Sequence, residues 1–441
     1  MAIDPAQRAA ELKRFHNVLE DRPLPPGDPA YVPDIHKDAG DPVVDLKTQI
    51  DFTDSANVYF FTGQRGTGKS SELLRLKGML ESEGCFVLLA DMSQYLSLTE
   101  PIELGDFMIS IMGALSDQVE ALFHQAPAQQ NYWERIAHFL QTEVQIKDFD
   151  FGGKGAHIKL ALKDELAFKR RIQTETADHT VKIVKEARQF ANECVNLIRQ
   201  ERQNPALKVV FIVDSVERIR ADDSKRAEEI FRSVVNLFAS QIENIRFPLL
   251  HVVYSVPPYL TALSGSVGGY FGGAIYSLPS VHVFEKNSRV KSEAGLRILE
   301  RIIDVRYSNW GEVITRAHLQ RLALNSGGDI RDFFRLIRLC LVRAARPGET
   351  LPLSGTVVED AEHMVRNDML PIAENDLAWL QRIGTSHQCK LPEIEKLNTL
   401  ARFLESKYVL NYRNGADWYD VHPLLRSIVD QYVPAVANAN D

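Results

Sequence analysis

From about residue 30 to about residue 290, short apolar runs rich in β-branched and aromatic residues alternate with long stretches of helical periodicity. Runs of this kind, bounded by charges and turn formers, are how parallel strands read when helices cover both faces of their sheet. The pattern places five core strands at 58–62, 85–90, 208–213, 249–255 and 281–284. Gly84, Pro205 and Pro248 punctuate the approaches to the second, third and fourth.

A long insertion, about residues 101–204, separates the second strand from the third. Its flanks, 105–125, 131–143 and 164–203, carry apolar residues at helical spacing with charges between them, which predicts amphipathic helices. Its middle, residues 144–160, alternates apolar and polar positions on both sides of Gly152-Gly153, a hairpin signal. After residue 290 the strand pattern stops and helices are expected at 293–307, 316–324 and 329–343. From about residue 375 the order is three helices and then two strands turning at Asn414-Gly415, a winged-helix pattern. The first 30 residues start as a short amphipathic helix and pass into Pro23-Leu24-Pro25-Pro26-Gly27-Asp28-Pro29, which reads as an arm or linker.

Composition changes this picture little. The chain has 441 residues, 45% hydrophobic and 25% charged, enough for two or three domains with a real core. Its formal charge of −8 excludes a surface that is basic all over, so DNA contact would need a local patch. Cys85, Cys194, Cys340 and Cys389 lie far apart with no CxxC pair, which suggests free thiols rather than zinc or disulfides. The first fifteen residues mix acids and bases where a signal peptide would be apolar, and no run of about 18 apolar residues occurs. A cytoplasmic protein without a membrane segment is expected.

The chemistry begins at Gly63-Gln64-Arg65-Gly66-Thr67-Gly68-Lys69-Ser70, followed by Ser71. The pattern GxxxxGK[ST] arises by chance in roughly one or two chains per hundred of this length. Here it also sits between a buried strand and a helix, the context the motif requires. Its glycines let backbone N–H groups point inward at phosphate oxygens, and the start of the following helix adds a positive field. Lys69 would reach the β- and γ-phosphates of ATP and the Ser70 hydroxyl would hold Mg²⁺.

A carboxylate from a neighbouring strand end is needed beside that metal, because Mg²⁺ prefers oxygen ligands. Asp214 ends the apolar run 209–213 and supplies one; the alternative is a helix cap. Glu217 is the nearest candidate general base, although a surface pair with Arg218 or Arg220 explains it equally well.

These residues resemble the AAA+ and STAND group of P-loop ATPases over most of the chain. The resemblance implies an α/β fold: a P-loop NTPase parallel sheet of the ASCE/AAA+ type with a long α/β-hairpin insertion, a helical lid and a C-terminal winged helix. The implied domains are an arm or linker at 1–30, an ATPase core at 31–290, a lid at 291–350 and a winged helix at 351–441. In such proteins the polar residue closing the fourth strand senses the γ-phosphate, and here that residue is Ser255. Ser326-Gly327-Gly328-Asp329-Ile330-Arg331-Asp332 is similar to the sensor-2 segment of initiator-type members, by which Arg331 would reach the phosphates; the alternative is a helix-face salt bridge with Asp332 or a neighbour.

Two positions depart from the family pattern. Ser215 stands where most members carry an acid, which points to slow hydrolysis, and no arginine finger can be assigned. The glycine-rich loop 264–273 occupies the region before the fifth strand, with Tyr270 and Phe271 as a partner contact or a local anchor.

The third helix of the winged-helix segment, residues 398–407, offers Arg402 and Lys407 against Glu405, poor material for phosphate neutralisation. Residues 286–346 hold thirteen Lys and Arg against six Asp and Glu, a basic face or a salt-bridged helical one. His422, alone and before Pro423, reads as structural. The leading expectation is therefore an ATP-driven switch that assembles with itself or a protein partner, in a setting such as bacterial defence or signalling that rests on the resemblance. The alternative is a DNA-associated initiator or loader.

Overall fold

A computed structural model describes residues 5–37, 40–124, 130–145, 156–219, 224–263, 275–286, 288–346 and 348–433. The glycine loop 264–273, Arg220 and the turn of the expected hairpin lie outside these residues. The chain divides into two compact units: Pro42–Thr62 with Glu72–Ser277, and Met1–Asp41 with Gly63–Ser71 and Leu278–Asp441.

The first of these holds the sheet. Its strands are β1 (Val58–Gly63), β2 (Phe86–Asp91), β3 (Val209–Asp214), β4 (His251–Val256) and β5 (Ile275–Leu278), in the order β2-β3-β4-β1-β5. The β1–β4, β3–β4 and β2–β3 pairs are parallel. Strands β1, β3 and β4 are buried at every position, which is why they read as unbroken apolar runs. The β1–β4 register sets Ser255 beside Phe61, and the β2–β3 register sets Asp91 beside Asp214. This is the α/β parallel-sheet class expected, with the phosphate loop following β1.

Two expectations about this unit fail for physical reasons. The fifth strand is Ile275–Leu278 and not 281–284. Val281 and Val283 are buried, but in the other unit's core, and their backbone pairs with Gly328 and Ser292. Their alternation reports burial, not sheet partners. The second arm of the expected hairpin is the helix Ala156–Asp164, with Ile158, Ala161 and Leu162 buried at helical spacing. The remaining insertion helices are Leu104–Phe123, Tyr132–Thr142, Leu166–Thr176 and Thr180–Glu201, so the single helix expected over 164–203 breaks at a 3-10 turn, Ala177–His179.

In the second unit the N-terminal helix Pro5–Val18 buries Leu12 and Phe15 among Leu296, Leu299, Ile303, Phe333 and Ile337. Phe15 stacks on Tyr307 at 4.4 Å between ring centroids. The segment read as an arm is thus part of a hydrophobic core. The helices Glu293–Asp304, Arg316–Asn325 and Ile330–Ala344 match the expected ones, and Gly355–Asn367 follows. The last region runs Glu374–Ser386, a 3-10 turn Ile394–Lys396, Leu397–Glu405 and an antiparallel ribbon of β6 (Val409–Asn414) and β7 (Ala416–Val421). Tyr412 and Trp418 stack across that ribbon at 4.5 Å. All four cysteines are free thiols, and no described helix is long and apolar enough to cross a membrane.

Candidate functional site

The phosphate loop belongs to the second unit. Gly66 and Gly68 take φ of +103° and +92°, values that favour glycine and curl the backbone in the manner the motif requires. Lys69, the first residue of the helix Lys69–Ser82, is buried, and its ammonium donates to the carbonyls of Gly63 (2.8 Å) and Gln64 (3.1 Å). The Thr67 hydroxyl donates to Gln64 O at 2.9 Å. Arg65 is exposed and Ser70 half-buried. Ser71 Oγ accepts from the backbone N–H of Leu24 at 2.9 Å, so the proline-rich segment is tied to the loop's helix.

Gln64 reaches furthest along the chain. It is 1% exposed; its amide nitrogen donates to Leu404 O (2.9 Å) and Val409 O (2.6 Å), and its amide oxygen accepts from Asn411 N–H (2.9 Å). Side-chain polar groups buried this deeply are stable only when paired, and losing one partner costs about 1–3 kcal/mol.

Asp329 lies against the same loop. A Cβ at Gly66 would meet its Oδ2 at 2.7 Å and Arg331 Cβ at 2.8 Å. Asp329 caps the helix Ile330–Ala344 by accepting from Asp332 N–H and pairs with Lys407 Nζ at 2.8 Å; Lys407 also pairs with Asp332 at 2.9 Å. Burial pushes the Asp329 carboxyl up, against the pull of Lys407. Burial opposes Asp332 ionisation too, but His422 and Lys407 outweigh it and hold that carboxyl well below its usual range. Lys407 itself sits at φ +59°, a left-handed position that costs a side chain about 1–2 kcal/mol. His422 is wholly buried, accepts from Leu424 N–H through Nδ1 and sets Nε2 3.7 Å from Asp332.

Arg331 pairs with Asp21 of the N-terminal segment, not with Asp332. Arg402 pairs with Asp376 at 2.7 Å. The two cations of the third helix that could face DNA are therefore both engaged, and Lys407 is buried. The arginine-rich stretch is largely ion-paired as well: Arg316 with Glu300, Arg321 with Glu362, Arg335 with Asp368 and Arg343 with Asp360.

The sheet unit carries the other candidates. Asp214 is buried at the end of β3, where its Oδ1 accepts from Ser215 N–H at 2.7 Å. Ser215 is buried at φ +72°. Burial works to raise the neighbouring Asp91 carboxyl, but hydrogen bonding from Ser93 outweighs it and holds the group below its ordinary value. Glu217 lies in the 3-10 turn Val216–Arg218 and accepts a hydrogen bond from the Ser255 hydroxyl at 2.6 Å. The structure thus joins two candidates that the sequence treats separately.

Gln64, Asp329 and Lys407 escaped sequence reasoning as a group. Their contacts span 78 to 347 residues along the chain, and no local pattern reports a partner at that distance.

No family model matches the sequence, and no curated protein matches it. Among solved structures the chain is similar to the Walker-type ATPase PABY2304 of Pyrococcus abyssi, at 13% identity and a TM-score of 0.40 over 94% of this chain and 99% of that one. It is similar to the Aeropyrum pernix ORC2 protein, at 11% identity and 0.39 over 94% and 97% of the two chains. It is also similar to the Thermotoga maritima RuvB Holliday junction branch migration motor, at 14% identity and 0.35 over 95% and 100%.

Proposed function

We propose that the chain is an ATP-binding, slowly hydrolysing regulatory ATPase of AAA+/STAND character that works as a nucleotide-driven switch. The observation that carries this reading is the phosphate loop: two glycines at positive φ, a buried lysine ammonium already bonded to loop carbonyls, and a helix starting at that lysine. Residues from Gly63 to Ser71 would cradle the phosphates, with Lys69 exchanging loop carbonyls for phosphate oxygens. Ser70 in the loop and Asp214 at the end of β3 each carry an oxygen of the kind Mg²⁺ prefers. That ion would supply charge neutralisation at the phosphates when bound.

Glu217 would orient and deprotonate water, Ser255 would be the γ-phosphate sensor that the resemblance implies, and Arg331 would leave Asp21 for the nucleotide. Ser215 in place of a second acid supports slow turnover. The C-terminal helices and ribbon would form a winged helix engaged in packing, since Arg402 and Lys407 are paired within the chain. The partner would be protein or a further copy of this chain.

Nucleotide titration with Lys69→Ala as control tests the reading, together with the mass of the assembly in ADP, ATP and a non-hydrolysable analogue. Loss of binding in the variant and a nucleotide-dependent mass are expected. Equal binding by Lys69→Ala would remove the loop as the site, and a constant mass would remove the assembly switch.

A further inference from the structure

We infer that the turn between the helix Leu397–Glu405 and strand β6 is a latch on the phosphate loop that slows nucleotide release; the inference rests on the nucleotide-binding reading above. The turn grips the loop at two points. At the first, the Gln64 amide donates to the carbonyls of Leu404 and Val409 and accepts from the N–H of Asn411, on both sides of the turn. At the second, Lys407 at the apex neutralises Asp329, whose carboxylate lies against Gly66. The backbone strain at Lys407, φ +59°, is borne by the one residue whose ammonium reaches both Asp329 and Asp332.

Charge gives the latch its direction. Phosphates in the loop would lie near Asp329, a buried acid that repels them unless a cation stands beside it. Lys407 is that cation only while the turn is docked. Undocking would strand Gln64 without partners and expose the phosphates to the Asp329 charge, so docking and phosphate binding support each other. That coupling must be reciprocal: nucleotide in the loop should hold the turn down as firmly as the turn holds the nucleotide. A signal or partner that lifts β6 and β7 would then release nucleotide without touching the loop itself.

The test uses the full chain and a fluorescent ADP analogue. Release is timed in the wild type, Gln64→Ala, Lys407→Met, Lys407→Arg and the double variant Gln64→Ala/Lys407→Met. Release roughly tenfold faster is expected in each of Gln64→Ala and Lys407→Met, the scale set by one or two lost hydrogen bonds. The double variant should release no faster than the faster single one, because both contacts serve one turn, and Lys407→Arg should recover most of the slow rate.

Amide hydrogen exchange in the wild type gives an independent reading, with residues 408–412 expected to exchange more slowly when the ADP analogue is bound. Wild-type release rates in folded Gln64→Ala, or exchange over 408–412 that ignores nucleotide, would overturn the latch. These two readings decide the matter even if Lys407→Met does not fold. A wild type that fails to bind the analogue at all would instead overturn the nucleotide-binding reading.

Discussion

The Ser255 hydroxyl donates to the Glu217 carboxylate at 2.6 Å, joining the closing residue of β4 to the turn that follows β3. If Glu217 is the base, Glu217→Gln should lower the rate of phosphate release about a hundredfold, in line with general-base loss. Ser255→Ala should lower it less, and adding it to Glu217→Gln should cost little more, since the two side chains act through one bond. Unchanged turnover in Glu217→Gln would remove it as the base.

The two loop glycines at positive φ should differ when substituted. Gly68→Ala meets no heavy atom within 4 Å among the described residues, so it bears backbone strain alone. Gly66→Ala adds a collision with Asp329 at 2.7 Å. Thermal unfolding should show Gly66→Ala as the more destabilised by about 1–3 kcal/mol, with weaker nucleotide binding as well. Equal effects would mean that Asp329 yields freely.

Phe15 is fully buried and stacked on Tyr307, so Phe15→Ala should cost about 3–5 kcal/mol in denaturant unfolding. A loss below about 1 kcal/mol would show that the N-terminal helix is dispensable to the core it enters.

His251 gives a pH signature. Burial, reinforced by Lys208 and Arg199, lowers its pKa from 6.5 to about 4, while the ring stacks on Tyr59. The depressed value means the native state holds the imidazole neutral while the unfolded chain binds a proton below pH 6.5. The stability it contributes is therefore complete above that pH and is lost as pH falls towards 4, by about 3 kcal/mol in all. Chemical denaturation of wild type and His251→Phe across pH 7.5 to 4 should show a shallower slope in the variant. Parallel slopes would assign the acid sensitivity to other groups.

These predictions rest unevenly on what the sequence discloses. Strands β1 to β4 were legible because parallel strands covered on both faces read as unbroken apolar runs. The alternation at Val281 and Val283 misled because period two records which side chains are buried, whatever buries them. At 156–160 the same short alternation fitted a strand, yet Ile158 and Leu162 four residues apart turn out to lie on one buried helix face.

The curl of the loop was legible from its glycines, since Gly66 and Gly68 take the positive φ that the residue type favours. Gln64 was not, because its position in the motif accepts any residue; only the fold reveals why an amide with both donors and an acceptor stands there. Arg331 is singled out only by the sensor-2 resemblance, and its counter-ion, Asp21, lies far upstream with no mark of its role.

The division of the chain has a practical outcome. Nine residues, Gly63–Ser71, fall in one compact unit while the strand entering them and most of the helix leaving them fall in the other. No single cut of the backbone keeps both β1 and the carbonyls that hold Gln64 in one fragment while discarding anything large. Truncations meant to isolate the sheet would thus remove the partners of the Gly63–Ser71 loop, and whatever a fragment binds there would not stand for the whole chain.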